Sequence, residues 1–72
     1  MKKIQAIAHS YWRRIKAGAR TFESLSDESY KDYPTMKEQV RHLAKTDVVN
    51  GEIMQEEYEN FIGEKYVAEA AE

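Results

Sequence analysis

The stretch PTMKEQVRHLAKTDVVNGEIMQEEYENFIG, residues 34–63, contains two helical patterns separated by Asn50-Gly51. In the first pattern, apolar residues recur at three- and four-residue steps, as they do on one face of a helix. This apolar stripe consists of Met36, Val40, Leu43, Ala44 and Val48. Thr35 and Glu38 have the spacing of a capping box, and Pro34 fits a helix entry. We therefore predict a helix over about residues 35–50, ended by Gly51.

The second pattern is a shorter helix that follows the Gly51 turn. Ile53 enters from that turn, and Gly63 ends the helix. The predicted apolar face consists of Met54, Tyr58, Phe61 and Ile62. Tyr66 is expected to fold back onto the core, whereas residues 67–72 are expected to fray. The tight turn at Gly51 makes the two helices a hairpin.

A further helix is predicted over residues 3–17, ahead of this hairpin. Its apolar arc consists of Ile4, Ile7, Ala8, Tyr11, Trp12 and Ile15. Gly18 is a helix stop, because glycine tolerates the left-handed conformation there. In the long connection that follows, Thr21 is expected to cap a short turn that buries Phe22 and Leu25. The prediction is an all-α protein, a small three-helix unit over residues 1–66 in which helix 1 packs across the helix 2–helix 3 hairpin.

Asp47 interrupts the apolar stripe of the second helix. An unpaired carboxylate at such a position is costly, so we predict that Asp47 has a partner. Three kinds of partner are open at this point: the amides at the start of the third helix, a tyrosine hydroxyl, or an arginine of the first helix. Left-handed conformations at Gly18 and Gly51 are also predicted.

Composition and charge limit the function classes. With 72 residues, the chain forms one domain at most and buries a small core, since Leu, Ile, Val and Phe number only 13. It has no cysteine, which excludes disulfides and cysteine metal sites. We find neither a signal-peptide pattern nor an apolar run of membrane-spanning length, and expect no membrane partner. Residues 1–22 carry six cations and no acid, whereas residues 23–72 carry 13 acids and five cations.

Catalytic and metal-binding patterns are weak. His9 and His42 are the only histidines. Neither lies at a sequence spacing that would place it in a catalytic relay with a nucleophile and an acid. Glu52, Glu56 and Glu59 can share a helix face, but such carboxylates usually form a solvated surface. We therefore expect no enzyme, no cofactor and no metal.

The basic, aromatic first helix is the candidate binding surface. Its residues are Tyr11, Trp12, Arg13, Arg14, Lys16 and Arg20. Tryptophan and arginine are enriched at the centres of protein interfaces. Two alternatives stay open: Trp12 is simply the largest core residue, and the basic face binds DNA. The overall sequence pI of about 5.7 argues against DNA.

Two segments, YWRRIKAGARTFESL and VRHLAKTDVVNGEIMQEEYENFIGEKY, resemble short proteins encoded near tail-fibre genes in phages and prophages of Gram-positive bacteria, the XkdX-like group. The shared pattern is Ile15-x-x-Gly18-x-x-Thr21, then Asn50-Gly51-x-Ile53-x-x-Glu56-x-Tyr58, ending at Gly63. This chain departs from it at Met54, where a Ser or Thr cap is expected, and in the insertion SDESYKDYP. The resemblance implies a phage origin and no established activity.

The leading hypothesis is a non-catalytic phage or prophage accessory protein that acts by protein–protein contact. Its partner is a second copy or a virion or host protein. The expected location is the host cytoplasm, with association to the virion as an alternative. The runner-up is a DNA-associated regulator that uses the basic face of helix 1.

Overall fold

The computed structural model describes residues 4–29 and 31–68. Three α-helices follow one another: α1 (Ala6–Lys16), α2 (Met36–Val49) and α3 (Gln55–Ile62). A short 3₁₀ turn, Phe22–Ser24, lies between α1 and α2. The predicted all-α, three-helix fold is confirmed. Helix α1 begins later than the predicted residue 3 and ends one residue before the predicted residue 17, and α2 is one residue shorter at each end than the predicted 35–50. Helix α3 ends at Gly63, as predicted. Of the predicted first helix, Lys3 lies outside the described residues.

Hydrogen bonds between elements define the directions of the helices. The Gln5 amide, just before α1, donates to Gln39 near the start of α2 (2.7 Å). Trp12, later in α1, donates to Asp47 near the end of α2. Helices α1 and α2 therefore run in the same direction. Helix α3 runs back along α2, because Glu64, just after α3, pairs with Arg41 in the first half of α2.

Local hydrogen bonds explain where the helices begin. At the start of α2, the Thr35 hydroxyl accepts a hydrogen bond from the Glu38 amide (3.1 Å), which is one of the two bonds of the predicted capping box. The reciprocal bond to the Glu38 carboxylate is absent among the described residues. Met54 cannot cap α3 in this way. Instead, the Glu57 carboxylate accepts a hydrogen bond from the Met54 amide (2.9 Å), which satisfies a free donor at that helix start.

Glycines end the helices as predicted. Gly18 has φ +80° and Gly51 has φ +78°, both in the left-handed region. After α1, the Ala19 amide bonds back to the Arg14 carbonyl (2.9 Å) and the Gly18 amide to that of Ile15 (3.1 Å). This bonding pattern is a Schellman motif, which satisfies the last carbonyls of a helix.

A single apolar core joins all the elements. Its buried members are Ala8, Trp12, Ile15, Phe22, Leu25, Val40, Ala44, Tyr58 and Ile62. Phe22 and Leu25 are buried as expected, and the 3₁₀ turn contacts α2 and α3. Tyr66 folds back as predicted and places its ring edge-on to Tyr58, with centroids 5.2 Å apart.

Three local predictions are wrong. Ile7 is 46% exposed and Met54 is 68% exposed, so both lie outside the core. The apolar arcs of α1 and α3 are wider than the surfaces that their neighbours cover. The Thr21 side chain makes no capping bond; its carbonyl accepts from the Ser24 hydroxyl (2.7 Å) instead. Of the tail predicted to fray, residues 69–72 lie outside the described residues.

Candidate protein-binding surface on the first helix

The six residues of the predicted binding surface have three different environments. Trp12 is in the core, with 4% of its surface exposed. Lys16 and Arg20 contact other residues of the same chain. Arg13 and Arg14 are exposed, and Tyr11 is half-buried.

Asp47 is paired, as predicted, and its partners come from α1. Its Oδ2 accepts hydrogen bonds from the Trp12 indole Nε1 (2.8 Å) and from Lys16 Nζ (3.1 Å). None of the three expected kinds of partner is used. Lys16 Nζ also lies 5.1 Å from the centroid of the Trp12 ring, within cation–π distance. A carboxylate in the apolar stripe thus satisfies the buried indole N–H and is itself neutralised by a lysine.

Trp12 joins all three helices. It bonds to α2 through Asp47, and its ring meets Phe61 of α3 edge-on, with centroids 5.7 Å apart and an interplanar angle of 86°. Such T-shaped pairs are favourable beyond the apolar area that they bury. Trp12 therefore has a core role in the isolated chain, which is the alternative left open above.

Arg13 and Arg14 are the cations of α1 that stay unengaged. Both are exposed, and neither forms an ion pair with any residue between 4–29 or 31–68. Ile7 lies two turns before Arg14 on the same side of the helix, since residues seven apart share a face. We call these three residues, with half-buried Tyr11, the outer surface of α1. Its exposed apolar area comes from Ile7, not from Trp12.

Arg20 extends this surface at the end of α1. Its guanidinium carbon lies 4.4 Å from the centroid of the Tyr11 ring, in a cation–π contact. Arg20 Nε is withdrawn from solvent and has no hydrogen-bond acceptor among the described residues. The Arg20 guanidinium is thus stacked on an aromatic ring, while its Nε–H donor has no acceptor among the described residues.

Several acids of residues 23–68 accept hydrogen bonds within the chain. Glu64 forms a two-bond pair with Arg41, and this hydrogen bonding raises the pKa of Arg41. Glu59 accepts from the Tyr66 amide (2.9 Å). By contrast, five exposed acids have carboxylates that accept no hydrogen bond and form no ion pair within the part of the chain that the structure describes: Glu23, Glu28, Glu38, Glu52 and Glu56. We call Glu52 and Glu56, with Met54 between them in the sequence, the acidic edge.

Gln39 is a structural residue that the sequence patterns did not reveal. It is fully buried. Its Oε1 accepts from the Gln5 amide, and its Nε2 donates to the Pro34 carbonyl (2.8 Å). The available signal was its position beside Val40 and Leu43 in helical projection, where a polar residue needs a partner.

The structure also shows where the two histidines lie and bears on the metal and membrane predictions. His9 is exposed on α1, and His42 is half-buried on α2. Among residues 4–29 and 31–68, no group of three histidine, aspartate or glutamate side chains converges to hold a metal ion. Within the same ranges, no helix is both long enough and apolar enough to cross a bilayer.

Comparison of the chain with protein-family models, curated proteins and solved structures finds no match. The residues that the structure describes form a small all-α unit of three helices.

Proposed function

We propose that this chain is a small, non-catalytic phage or prophage accessory protein that acts through protein–protein contact, by self-association. The phage origin is proposed from the XkdX-like resemblance. The host cytoplasm, or the virion, is the proposed place of action. The contact joins the outer surface of α1 in one copy to the acidic edge of another.

The observation that carries the proposal is the unpaired state of Arg13 and Arg14. Helix α1 uses its inner face for the core and its side for the Lys16–Asp47 pair. The two arginines have no such use within the described chain. Unpaired positive charge beside an exposed apolar residue favours a partner that offers acid and apolar surface together.

The acidic edge has these properties. Glu52 and Glu56 are exposed, and Met54 between them is 68% exposed. The two surfaces are therefore complementary in charge, and each contains one exposed apolar side chain. Exposed ion pairs contribute only about 0–1 kcal/mol each, so they orient the contact more than they strengthen it. Ile7 and Met54 contribute the apolar part.

Sedimentation velocity tests this proposal. The wild type should show concentration-dependent self-association over about 10 μM to 1 mM, the range that suits a weak contact. R13E/R14E should sediment as a monomer throughout, with unchanged far-UV circular dichroism. The matched control R13K/R14K keeps both charges and should associate like the wild type. A wild type that stays monomeric throughout this range contradicts the proposal.

The same variants separate this proposal from DNA binding. Fluorescence anisotropy with a random-sequence duplex should show no tight binding by the wild type. Tight binding that falls steeply with salt, and that R13E/R14E abolishes, would instead support the DNA-associated regulator.

A further inference from the structure

The half-buried Arg20 has an unusual hydrogen-bonding state. Its Nε is covered from solvent and has no acceptor among the described residues. A buried donor without an acceptor costs about 1–3 kcal/mol, and more when the group is charged. The Tyr11 ring, on which the Arg20 guanidinium stacks, attracts its positive charge. The ring offers no lone pair in the plane of the guanidinium, where the Nε–H donor needs an acceptor.

An open cleft of about 410 Å³ lies beside Arg20, between the end of α1 and the end of α3. Its apolar lining includes Ile15, Phe22 and Phe61, and its polar lining includes Arg20, Glu23 and Asn60. A concave site with apolar walls and a few polar groups is the usual form of a ligand site. The volume is sufficient for one or two side chains of a bound peptide.

The chain contains a second arginine that shows what Arg20 lacks. Arg41 donates from Nε to Glu64 Oε1 (2.9 Å) and from Nη2 to Glu64 Oε2 (3.0 Å). This two-bond geometry uses the fork of the guanidinium, which matches a carboxylate. Arg20 has the same fork, but no carboxylate of the residues 4–29 and 31–68 bonds to it.

We propose that the Arg20 cleft binds an acidic peptide segment of a protein partner, in which a glutamate or aspartate is flanked by apolar residues. The carboxylate takes the Nε edge of Arg20, and a neighbouring apolar side chain lies against Phe22 and Phe61. Because Nε is covered in the free chain, binding turns the guanidinium toward the cleft. The proposal rests on the proposed function only in that the ligand is part of a protein.

Glu23 is the charge that opposes such a ligand. It lines the same cleft but is exposed, so solvent and salt screen its repulsion. Asn60, also exposed, offers both a donor and an acceptor to a peptide backbone. Selectivity for acid over amide therefore depends on Arg20.

The test uses ¹⁵N-resolved NMR of the arginine Nε–H groups at slightly acidic pH. The probes are acetyl-Leu-Glu-Leu-amide, its glutamine counterpart and sodium acetate. The glutamate peptide and acetate should shift the Arg20 Nε–H signal, while the Arg41 signal, already paired, stays in place. The glutamate peptide should bind about tenfold more tightly than the glutamine peptide, equivalent to about 1.4 kcal/mol.

Two variants test whether the Arg20 cleft is the site at which the peptide binds. R20K keeps the charge but loses the fork, and should weaken the glutamate peptide about tenfold. K65R, at an exposed position outside the cleft lining, is the control and should bind as the wild type does. No Arg20 response at about 10 mM glutamate peptide or acetate, or equal binding of both peptides, overturns the inference. Because these measurements use monomeric ligands, they can fail while self-association through Arg13 and Arg14 persists, and the reverse also holds.

Discussion

Asp47 shows how one residue links the sequence to the packing of the whole chain. A carboxylate in an apolar stripe is stable only with donors nearby, and here the Trp12 indole and the Lys16 ammonium supply them. Its backbone carbonyl also accepts from the Glu52 amide (2.8 Å) in the turn before α3. Asp47 therefore holds α1 through its side chain and the hairpin turn through its backbone.

We expect Asp47→Ala to lower the free energy of unfolding by about 1–3 kcal/mol, because the buried Trp12 N–H loses its acceptor. Asp47→Asn keeps an acceptor and should cost less. Urea unfolding followed by the fluorescence of Trp12, the only tryptophan, measures both. Asp27→Ala is the matched control: its pair with Lys37 is 3.4 Å long and Asp27 is 74% exposed, so little change is expected. Equal stability of Asp47→Ala and wild type would contradict this role.

Gln39 makes the corresponding contact at the other end of the α1–α2 pair. Gln39→Leu fits the apolar surroundings but leaves the Gln5 amide and the Pro34 carbonyl without their partner. The variant should therefore be destabilised by about 2 kcal/mol or more. Thermal unfolding by circular dichroism measures this, and the neighbouring exposed change Glu38→Gln is the comparison. A Gln39→Leu protein as stable as wild type would show that these two bonds contribute nothing.

At the scale of the elements, glycine conformations determine where α1 and α2 end. A Cβ at Gly18 or Gly51 would meet no atom within 4 Å, so substitution there changes backbone strain and not packing. The left-handed region costs an L-residue about 1–2 kcal/mol. The preference for glycine at these two positions therefore reflects backbone conformation and not packing, and a sequence pattern can predict it.

Gly18→Ala and Gly51→Ala should each lower the melting temperature by about 4–8 °C per kcal/mol of strain. Gly18→Asn and Gly51→Asn should lose less, because asparagine tolerates this conformation better than alanine does. Differential scanning calorimetry of the four variants tests the ranking. Alanine variants that melt at or above the wild-type temperature would show that the helices do not end in this way.

At the scale of the whole molecule, the sequence predicts which segments form helices better than it predicts how the helices pack against one another. Periodicity and end signals locate three helices and most of the core, but they misplace Ile7 and Met54, because how far an apolar arc is covered depends on its neighbours. The cost of burying Asp47 predicts that it has a partner. Which partner depends on α1 running alongside α2 in the same direction, and no local pattern encodes that arrangement.

The binding surface, likewise, can be predicted from the sequence only in part. The uneven charge of residues 1–22 is visible in the sequence, and so is the aromatic character of the first helix. The structure separates its members into Lys16, which pairs with Asp47, and Arg13 and Arg14, which pair with no acid among the residues that the structure describes. That separation needs tertiary contacts, because all three have the same local signature.

A charge-swap experiment tests the central claim that two copies join through the outer surface of α1 and the acidic edge. R13E/R14E and E52K/E56K should each be monomeric alone, because like charges face each other in every self-contact. Sedimentation velocity of an equimolar mixture should recover a mixed species, in which the reversed charges are complementary again. Recovery in the mixture, absent from either variant alone, is the result that we predict. A mixture that sediments as the two separate monomers, although the wild type associates, would contradict the pairing of these two surfaces.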